Sequence, residues 1–345
     1  QMADAVKKTD AVFEGGGVKG IGMVGAVAVT EEQGYQFSNV AGTSAGAIVA
    51  SLVAAGYTAG ELKNILDNLD YTRFKDPDLL DRIPVLGKVL SLGIEKGIYL
   101  GKYFENWLDD LLAKKNVRTF RDLVMPEYKD DPRYRYKLQV VSSDISQGKL
   151  LILPGDIADY GMNPDELGVA RAVRMSMSIP FFFEPVVLTD TGGNPCYIVD
   201  GGVLSNYPVW LFDDGTSDPP WPTLGYKLVA PQEGRPHTIL GPLTLFAALF
   251  ATMMEAHDAR YIEDKHFVRS IPIPTLGVQT TDFELPREKA QALYQSGRDA
   301  ASKFFATWDF EQYKAKYRRP EAVSVGSGRQ RALHAPVKPG PEKGG

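Results

Sequence analysis

The chain has little of what builds a covalently braced or metal-centred site. Its 345 residues include one cysteine, Cys196, and four histidines, His237, His257, His266 and His334. A lone cysteine excludes an intrachain disulfide framework and a cysteine-rich zinc centre, and so few histidines argue against a metalloenzyme. No metal or organic cofactor is expected. Membrane-spanning runs are lacking too. The uncharged stretch Ile239–Met254 has 16 residues and is interrupted by Gly241 and Pro242, too short and broken for a bilayer span. Concentrated basic runs are also missing, and the net charge is −5, so nucleic acid is not an expected partner. Only Ala11, Val12 and Phe13 separate the charged residues Lys7, Lys8 and Asp10 from Glu14 and Gly15. This is no leader-type apolar run. It favours a cytoplasmic protein with peripheral membrane association, with a leaderless secreted effector as the alternative.

What is present is ordinary globular material, 44% apolar and 23% charged. Ala11–Glu14 predicts a strand, Ile21–Val29 a buried helix stopped at Gly34, and Val40–Gly42 a second strand. Ala45–Ala55 predicts a helix closed by Gly56, and Thr58 with Glu61 a capping box that opens a third helix to about Leu69. This alternation argues for a mainly parallel sheet covered by helices in three α/β/α layers. Tyr71–Leu123 reads as mixed and helical, with breaks at Pro77 and Pro84. Leu138–Asp144 and Lys149–Leu153 predict a hairpin. Further along, a helix is expected over Pro164–Met177, strands over Phe181–Leu188, Tyr197–Val199 and Gly225–Val229, and helices over Pro242–Asp264 and Pro286–Trp308. The expected organisation is one domain over residues 8–317. The tail over 318–345 has few apolar residues, with four arginines and two lysines against two glutamates. It reads as disordered.

Two glycine motifs lie close together. Gly15-Gly16-Gly17-Val18-Lys19-Gly20 contains the spacing G-x-G-x-x-G between a strand and a helix, which invites a dinucleotide reading. That reading wants an acid about 20 residues on to hold a ribose. The region holds Phe37, Ser38, Asn39, Val40 and Ala41 instead. Free N–H groups at a helix start suit an oxyanion as well as a phosphate. The second motif, Gly42-Thr43-Ser44-Ala45-Gly46, fits a nucleophile elbow: a sharp strand-to-helix turn exposes the serine, and glycines two positions to either side remove clashing side chains. A donor-rich loop beside an exposed serine is the minimum for acyl transfer. For the base there are two kinds of candidate. His257 and His266 read as solvated helix positions. Asp200, in Val199-Asp200-Gly201-Gly202, ends a strand at the edge where open α/β sheets place their sites, and burial would raise its pKa into a useful range.

Gly15–Gly20, Gly42–Gly46 and Asp200–Gly202, in that order, resemble the patatin-like phospholipases. The segment Ala170–Pro180, with Arg171, Arg174, Ser176, Met177, Ser178 and Ile179, resembles the stretch before the catalytic aspartate in bacterial members, and Thr281-Asp282-Phe283 and Ser296-Gly297-Arg298 share that flavour. The resemblance implies a Ser–Asp dyad without histidine: Ser44 as nucleophile, Asp200 as base. It implies an oxyanion hole in the Gly15–Gly20 loop, from the N–H groups of Gly16, Gly17 and Val18. Lys19 occupies a position where the family has Arg or Lys. Gly42, Gly46, Gly201 and Gly202 support the motifs, with Asp-Gly-Gly where plant storage members have Asp-Gly-Ala. The implied reaction is hydrolysis of a phospholipid or lysophospholipid ester through an acyl-enzyme, without cofactor. An acyltransferase with the same dyad, and a nucleotide- or phosphate-binding module built on the glycine loop, are the alternatives. Leu243, Leu245, Phe246, Leu249, Phe250, Met253 and Met254 suit either a core helix or an interfacial lid. Phe181–Phe183 suit either core or the wall of an acyl pocket.

Overall fold

The computed structural model describes residues 6–67, 89–180 (89–100 by their backbone), 183–230, 239–241, 245, 248–250, 252–253, 264–280 and 285–318. In chain order the elements are β1 (Lys7–Phe13), α1 (Gly20–Glu32), β2 (Tyr35–Thr43), α2 (Ala45–Ala54), α3 (Ala59–Asp67), α4 (Val89–Ala113), β3 (Leu138–Asp144) and β4 (Lys149–Leu153). There follow α5 (Val169–Ser176), β5 (Val186–Thr189), β6 (Pro195–Asp200), β7 (Thr223–Val229), β8 (Ser270–Pro274), α6 (Arg287–Phe305) and α7 (Phe310–Tyr317).

The strands form one sheet in the order β5-β6-β3-β2-β1-β7-β8, with β4 also paired to β3. The pairs β3–β2, β2–β1, β1–β7 and β7–β8 are parallel, as the early strand–helix alternation predicts. The hairpin β3–β4 and the pairs β3–β6 and β5–β6 are antiparallel. Helices flank this central sheet. Ala11 and Phe13 of β1 join the main core with α1, α2, α4 and α5, while Val12 and Ala41 face the other way, against Leu211 and Phe212. Strand pleating alone sends neighbours to opposite faces.

Several boundaries differ from expectation for identifiable reasons. The helix expected over Pro164–Met177 is split: a 3₁₀ turn at Pro164–Glu166 ends in extended backbone at Leu167 and Gly168 before α5 begins. The strand expected over Phe181–Leu188 is confined to β5, and Phe181 and Phe182 lie outside the described residues. β8 carries Pro272 and Pro274, which disguise it as loop. The prolines alternate with Ile271 and Ile273 on an edge strand, so the missing N–H groups are those turned away from β7. Pro77, Pro84, His237, His257, Asp282, Phe283 and residues 319–345 lie outside the described residues.

Candidate active site

The sheet's register brings two strand ends head to head. β2 runs parallel to β3 and ends with Thr43 opposite Val141. β6 runs antiparallel to β3 and ends with Asp200 opposite Ser142. Adjacent residues of one strand therefore align the C-terminal ends of two others, and Ser44 and Asp200 are the residues delivered to that junction.

Ser44 occupies the turn from β2 into α2 with φ 52° and ψ −126°, a conformation that favours glycine. Close packing enforces it. A Cβ on Gly42 would lie 2.3 Å from the Gly46 carbonyl, and one on Gly46 would lie 2.3 Å from Phe13 O, so only glycines let α2 start this close to β1 and β2. Contrary to the exposed position expected of an elbow serine, Ser44 is 1% exposed. Its N–H donates to Ser176 Oγ at 2.8 Å, and its Oγ is directed at Met177 Sδ at 3.6 Å.

Asp200 is fully buried. Its N–H donates to Ser178 O at 2.9 Å, and its Oδ1 accepts from Gly202 N–H at 2.8 Å. Among the described residues Oδ2 has no partner in hydrogen-bonding geometry, although the Ser44 hydroxyl lies near enough to favour the ionised carboxylate. Burial dominates over these favourable contacts and pushes the carboxyl up to about 7. Gly201 packs directly on β3, where a Cβ would meet Val141 O at 2.3 Å.

The glycine loop follows β1. Its base is fixed by Glu14, buried, ion-paired to Lys227 Nζ at 3.0 Å and accepting the Leu228 N–H. Gly15 N–H donates to Asn206 O at 3.1 Å and Asn206 Nδ2 donates back to Gly15 O at 3.2 Å. A Cβ on Gly15 would sit 3.2 Å from Ser44 Cβ, so loop and serine are neighbours. Gly17 has φ +57°, and a Cβ there would meet Thr280 O at 2.0 Å. Lys19 N–H donates to Gly16 O, and Gly20 N–H to Gly17 and Val18 carbonyls. Val18 N–H points at Thr280 O at 3.4 Å, a long contact. Among the described residues the N–H groups of Gly16 and Gly17 have no acceptor. Of the three donors expected from the sequence, two are thus open and Val18 is turned elsewhere.

The end of α5 and the turn after it hold both candidate residues. Ser176 holds Ser44 and donates onward to Val141 O at 2.5 Å. Ser178 holds Asp200 through its carbonyl. Arg174, buried, reaches Ser178 Oγ and the Glu184 carbonyl. Sequence reasoning found this segment by resemblance and missed its function. It missed Asn206 altogether, six residues beyond Asp200 in a stretch with no motif.

His266 is not the solvated residue expected. It is 5% exposed, and its Nδ1 lies 2.7 Å from Arg269 Nη2, within a buried cluster with Asp213 and Arg318. It is thereby committed away from Ser44. No group of three potential metal ligands occurs among the described residues.

A mainly parallel α/β sheet brings a strained serine to a buried aspartate beside open glycine N–H groups, and its fold is that of the patatin-like proteins. Comparison with known proteins agrees. Residues 11–213 match the model of the patatin-like phospholipase family, and the chain belongs to that family. It is 41% identical over 303 residues to the uncharacterized protein YqhO of Bacillus subtilis (strain 168), covering 87% of this chain and 99% of that one. It is 26% identical over 202 residues to the cUMP-AMP-activated phospholipase of Escherichia coli, covering 57% of this chain and 55% of that one. VipD from Legionella pneumophila shares the fold, with TM-score 0.52 and 19% identity over 96% of this chain and 75% of that one. Family membership supports lipid hydrolysis as the activity.

Proposed function

We propose that the protein is a serine lipid acyl hydrolase that cleaves fatty-acyl esters of phospholipids or lysophospholipids through a Ser44–Asp200 dyad. The observation that carries this reading is the head-to-head convergence of β2 and β6 on Val141 and Ser142. Rotation of the Ser44 hydroxyl from Met177 Sδ to Asp200 Oδ2 readies the nucleophile. Such contacts commonly tighten only when substrate is bound. Ser44 Oγ attacks the ester carbonyl and passes its proton to Asp200. The N–H groups of Gly16 and Gly17 stabilise the oxyanion, helped by the nearby start of α1. Collapse expels the alcohol, which takes the proton from Asp200. Water, deprotonated by Asp200, then attacks the acyl-enzyme; the bond to Ser44 Oγ breaks, Ser44 Oγ takes the proton back from Asp200, and the fatty acid is freed.

Lipid access is by peripheral contact with a membrane surface. Leu245, Leu249 and Met253, spaced four residues apart, are all exposed, as are Ile239 and Leu240. Such a stripe suits an interfacial helix better than a core helix. No helix among the described residues is long and apolar enough to cross a membrane.

The test compares wild type, Ser44→Ala and Asp200→Asn on mixed phospholipid vesicles and on a short-chain p-nitrophenyl ester. The expected result is fatty acid release by wild type and loss in both folded variants. Retained activity in Asp200→Asn would refute the dyad. Transfer of the acyl group to added glycerol in place of water would make the enzyme a transacylase.

A further inference from the structure

The opposite end of the sheet carries a second feature that the proposed chemistry does not use. A cavity of about 90 Å³ opens beside Asp10, at the N-terminal side of β1 and β7. Asp10 and Gly15 are five positions apart along extended chain, roughly 16 Å, so this cavity is distinct from the candidate active site. The space exceeds that of several waters.

Its walls are aromatic and set at angles to one another. Tyr128 and Tyr134 have ring centroids 5.8 Å apart at 52°, and Tyr128 and Trp221 6.4 Å apart at 68°. Phe310 and Tyr313 of α7 close another side. The rings are braced from behind: Tyr134 donates to Phe212 O at 2.9 Å and stacks on the Phe212 ring.

The floor is an acid. Asp10 is 3% exposed, and its Oδ1 accepts the Asn39 N–H at 3.0 Å. Among the described residues it forms no ion pair. Burial pushes its carboxyl up to about 7, against lowering contacts from Trp221 and Asn39, and Asp213 and Asp214 add repulsion. The nearby cations are committed elsewhere: Arg269 and Arg318 both bind Asp213, at 2.6 and 2.5 Å, which holds that carboxyl down at about 2. Arg318, paired with Asp213, also lines the cavity, and among the described residues neither Asp10 nor Asp214 forms an ion pair. The Trp221 ring already attracts one cation, Lys8 Nζ at 5.2 Å from its centroid.

A buried carboxylate outside any ion pair among the described residues, in a cavity lined by aromatic side chains, is an arrangement that can recognise an organic cation: the rings attract it through their quadrupoles and the acid neutralises it. We propose that this cavity is a binding site for a small alkylammonium ion, with Asp10 as counter-ion and Tyr128, Tyr134 and Trp221 as its walls. Inorganic cations are too strongly hydrated and too small to use three ring faces.

The experiment titrates the full chain with choline, tetramethylammonium and the neutral isostere 3,3-dimethyl-1-butanol, followed by calorimetry and tryptophan fluorescence. It repeats this with Asp10→Asn and Trp221→Leu, each checked for folding by circular dichroism. The expected result is saturable binding of both cations, at least tenfold weaker binding of the alcohol, and at least tenfold weaker cation binding in either variant. Equal affinity for cation and alcohol in wild type, or no saturable binding at 20 mM cation, would overturn the proposal whether or not the variants fold. Phosphatidylcholine vesicles form a separate arm. Fluorescence change with vesicles and none with free choline would reassign the cavity to a bilayer surface and also overturn the proposal.

Discussion

The backbone N–H of Ser44 donates to Ser176 Oγ at 2.8 Å, and that hydroxyl donates in turn to Val141 O at 2.5 Å. One side chain thus ties the strained turn to the strand that sets the register of both β2 and β6. Removing it takes the acceptor from a buried N–H and one donor from a buried carbonyl. Ser176→Ala is expected to cost roughly 1–3 kcal/mol of stability and to lower kcat by about tenfold or more as the Ser44 turn relaxes. Ser176→Thr, which keeps the hydroxyl, should recover part of both. Chemical denaturation and ester hydrolysis measure the two effects. An unchanged kcat in Ser176→Ala would mean that α2 alone holds Ser44 in place.

Strain at Ser44 gives a prediction of opposite signs. Its φ of 52° is compatible with glycine and disfavoured for serine or alanine. Ser44→Gly should therefore raise stability by roughly 1 kcal/mol while abolishing hydrolysis. Ser44→Ala should abolish hydrolysis without the gain, because it keeps the Cβ. Thermal denaturation of the two variants side by side separates strain from the loss of the hydroxyl.

Asp200 links pH to both activity and stability. Its carboxyl has an ordinary value of 3.8 and is raised to about 7 by burial. As a base it must be ionised, so kcat/KM should rise with pH through about 7 and then level. Stability should move the other way. Below pH 4 the folded and unfolded chains both hold the proton. Between 4 and 7 the unfolded chain loses it first, so ionisation favours unfolding, and above 7 the full penalty applies. Asp200→Asn removes that penalty and should be more stable than wild type at pH 8 by roughly 2–4 kcal/mol. The gap should close towards pH 4. Denaturation curves across that range check the sign, and a constant gap would place the Asp200 pKa near its ordinary value.

Ser44 and Asp200 were legible because their local requirements are local in sequence. The elbow needs glycines two positions to either side, and a strand-ending acid needs small residues after it to lie against β3. Ser176 and Asn206 act across 132 and 191 residues of chain, so nothing near them in sequence announces their contacts. The same division runs through the fold. The hairpin β3–β4 followed from alternation and a short turn. β8 was missed because Pro272 and Pro274 break a strand pattern everywhere except on an outward edge, and edge position is a property of the finished sheet. His266 looked solvated beside Asp264 and Lys265, but a distant acid, Asp213, and the arginines around it enclose it.

Asn206 brackets Gly15 with a donor and an acceptor, and so sets the entry of the loop that carries the open Gly16 and Gly17 N–H groups. Its main-chain carbonyl survives any substitution, while the amide does not. Asn206→Ala is expected to lower kcat by about tenfold to a hundredfold, in the range for a loosened oxyanion donor, with a smaller change in KM. Asn206→Asp should be worse than Asn206→Ala above pH 6, because its oxygens cannot donate to Gly15 O and add negative charge beside a developing oxyanion. Steady-state kinetics on the short ester isolate this effect from membrane binding.

The exposed stripe Leu245, Leu249 and Met253 separates interfacial from chemical contributions. Phe250 is half-buried, so its exposed neighbour Leu249 is the cleaner probe. An aspartate at Leu249 in water alters little, since the side chain is already 50% exposed. At a lipid surface the same aspartate must be desolvated and is repelled by anionic headgroups. Leu249→Asp should therefore leave hydrolysis of the short p-nitrophenyl ester within twofold of wild type and reduce hydrolysis of anionic vesicles by about tenfold or more, the effect of roughly 1.4 kcal/mol of lost surface affinity. Vesicle co-sedimentation should fall in parallel. Equal losses on both substrates would assign Leu249 to the packing of the folded chain, and an unchanged vesicle rate would move the lipid-binding surface to another part of the molecule.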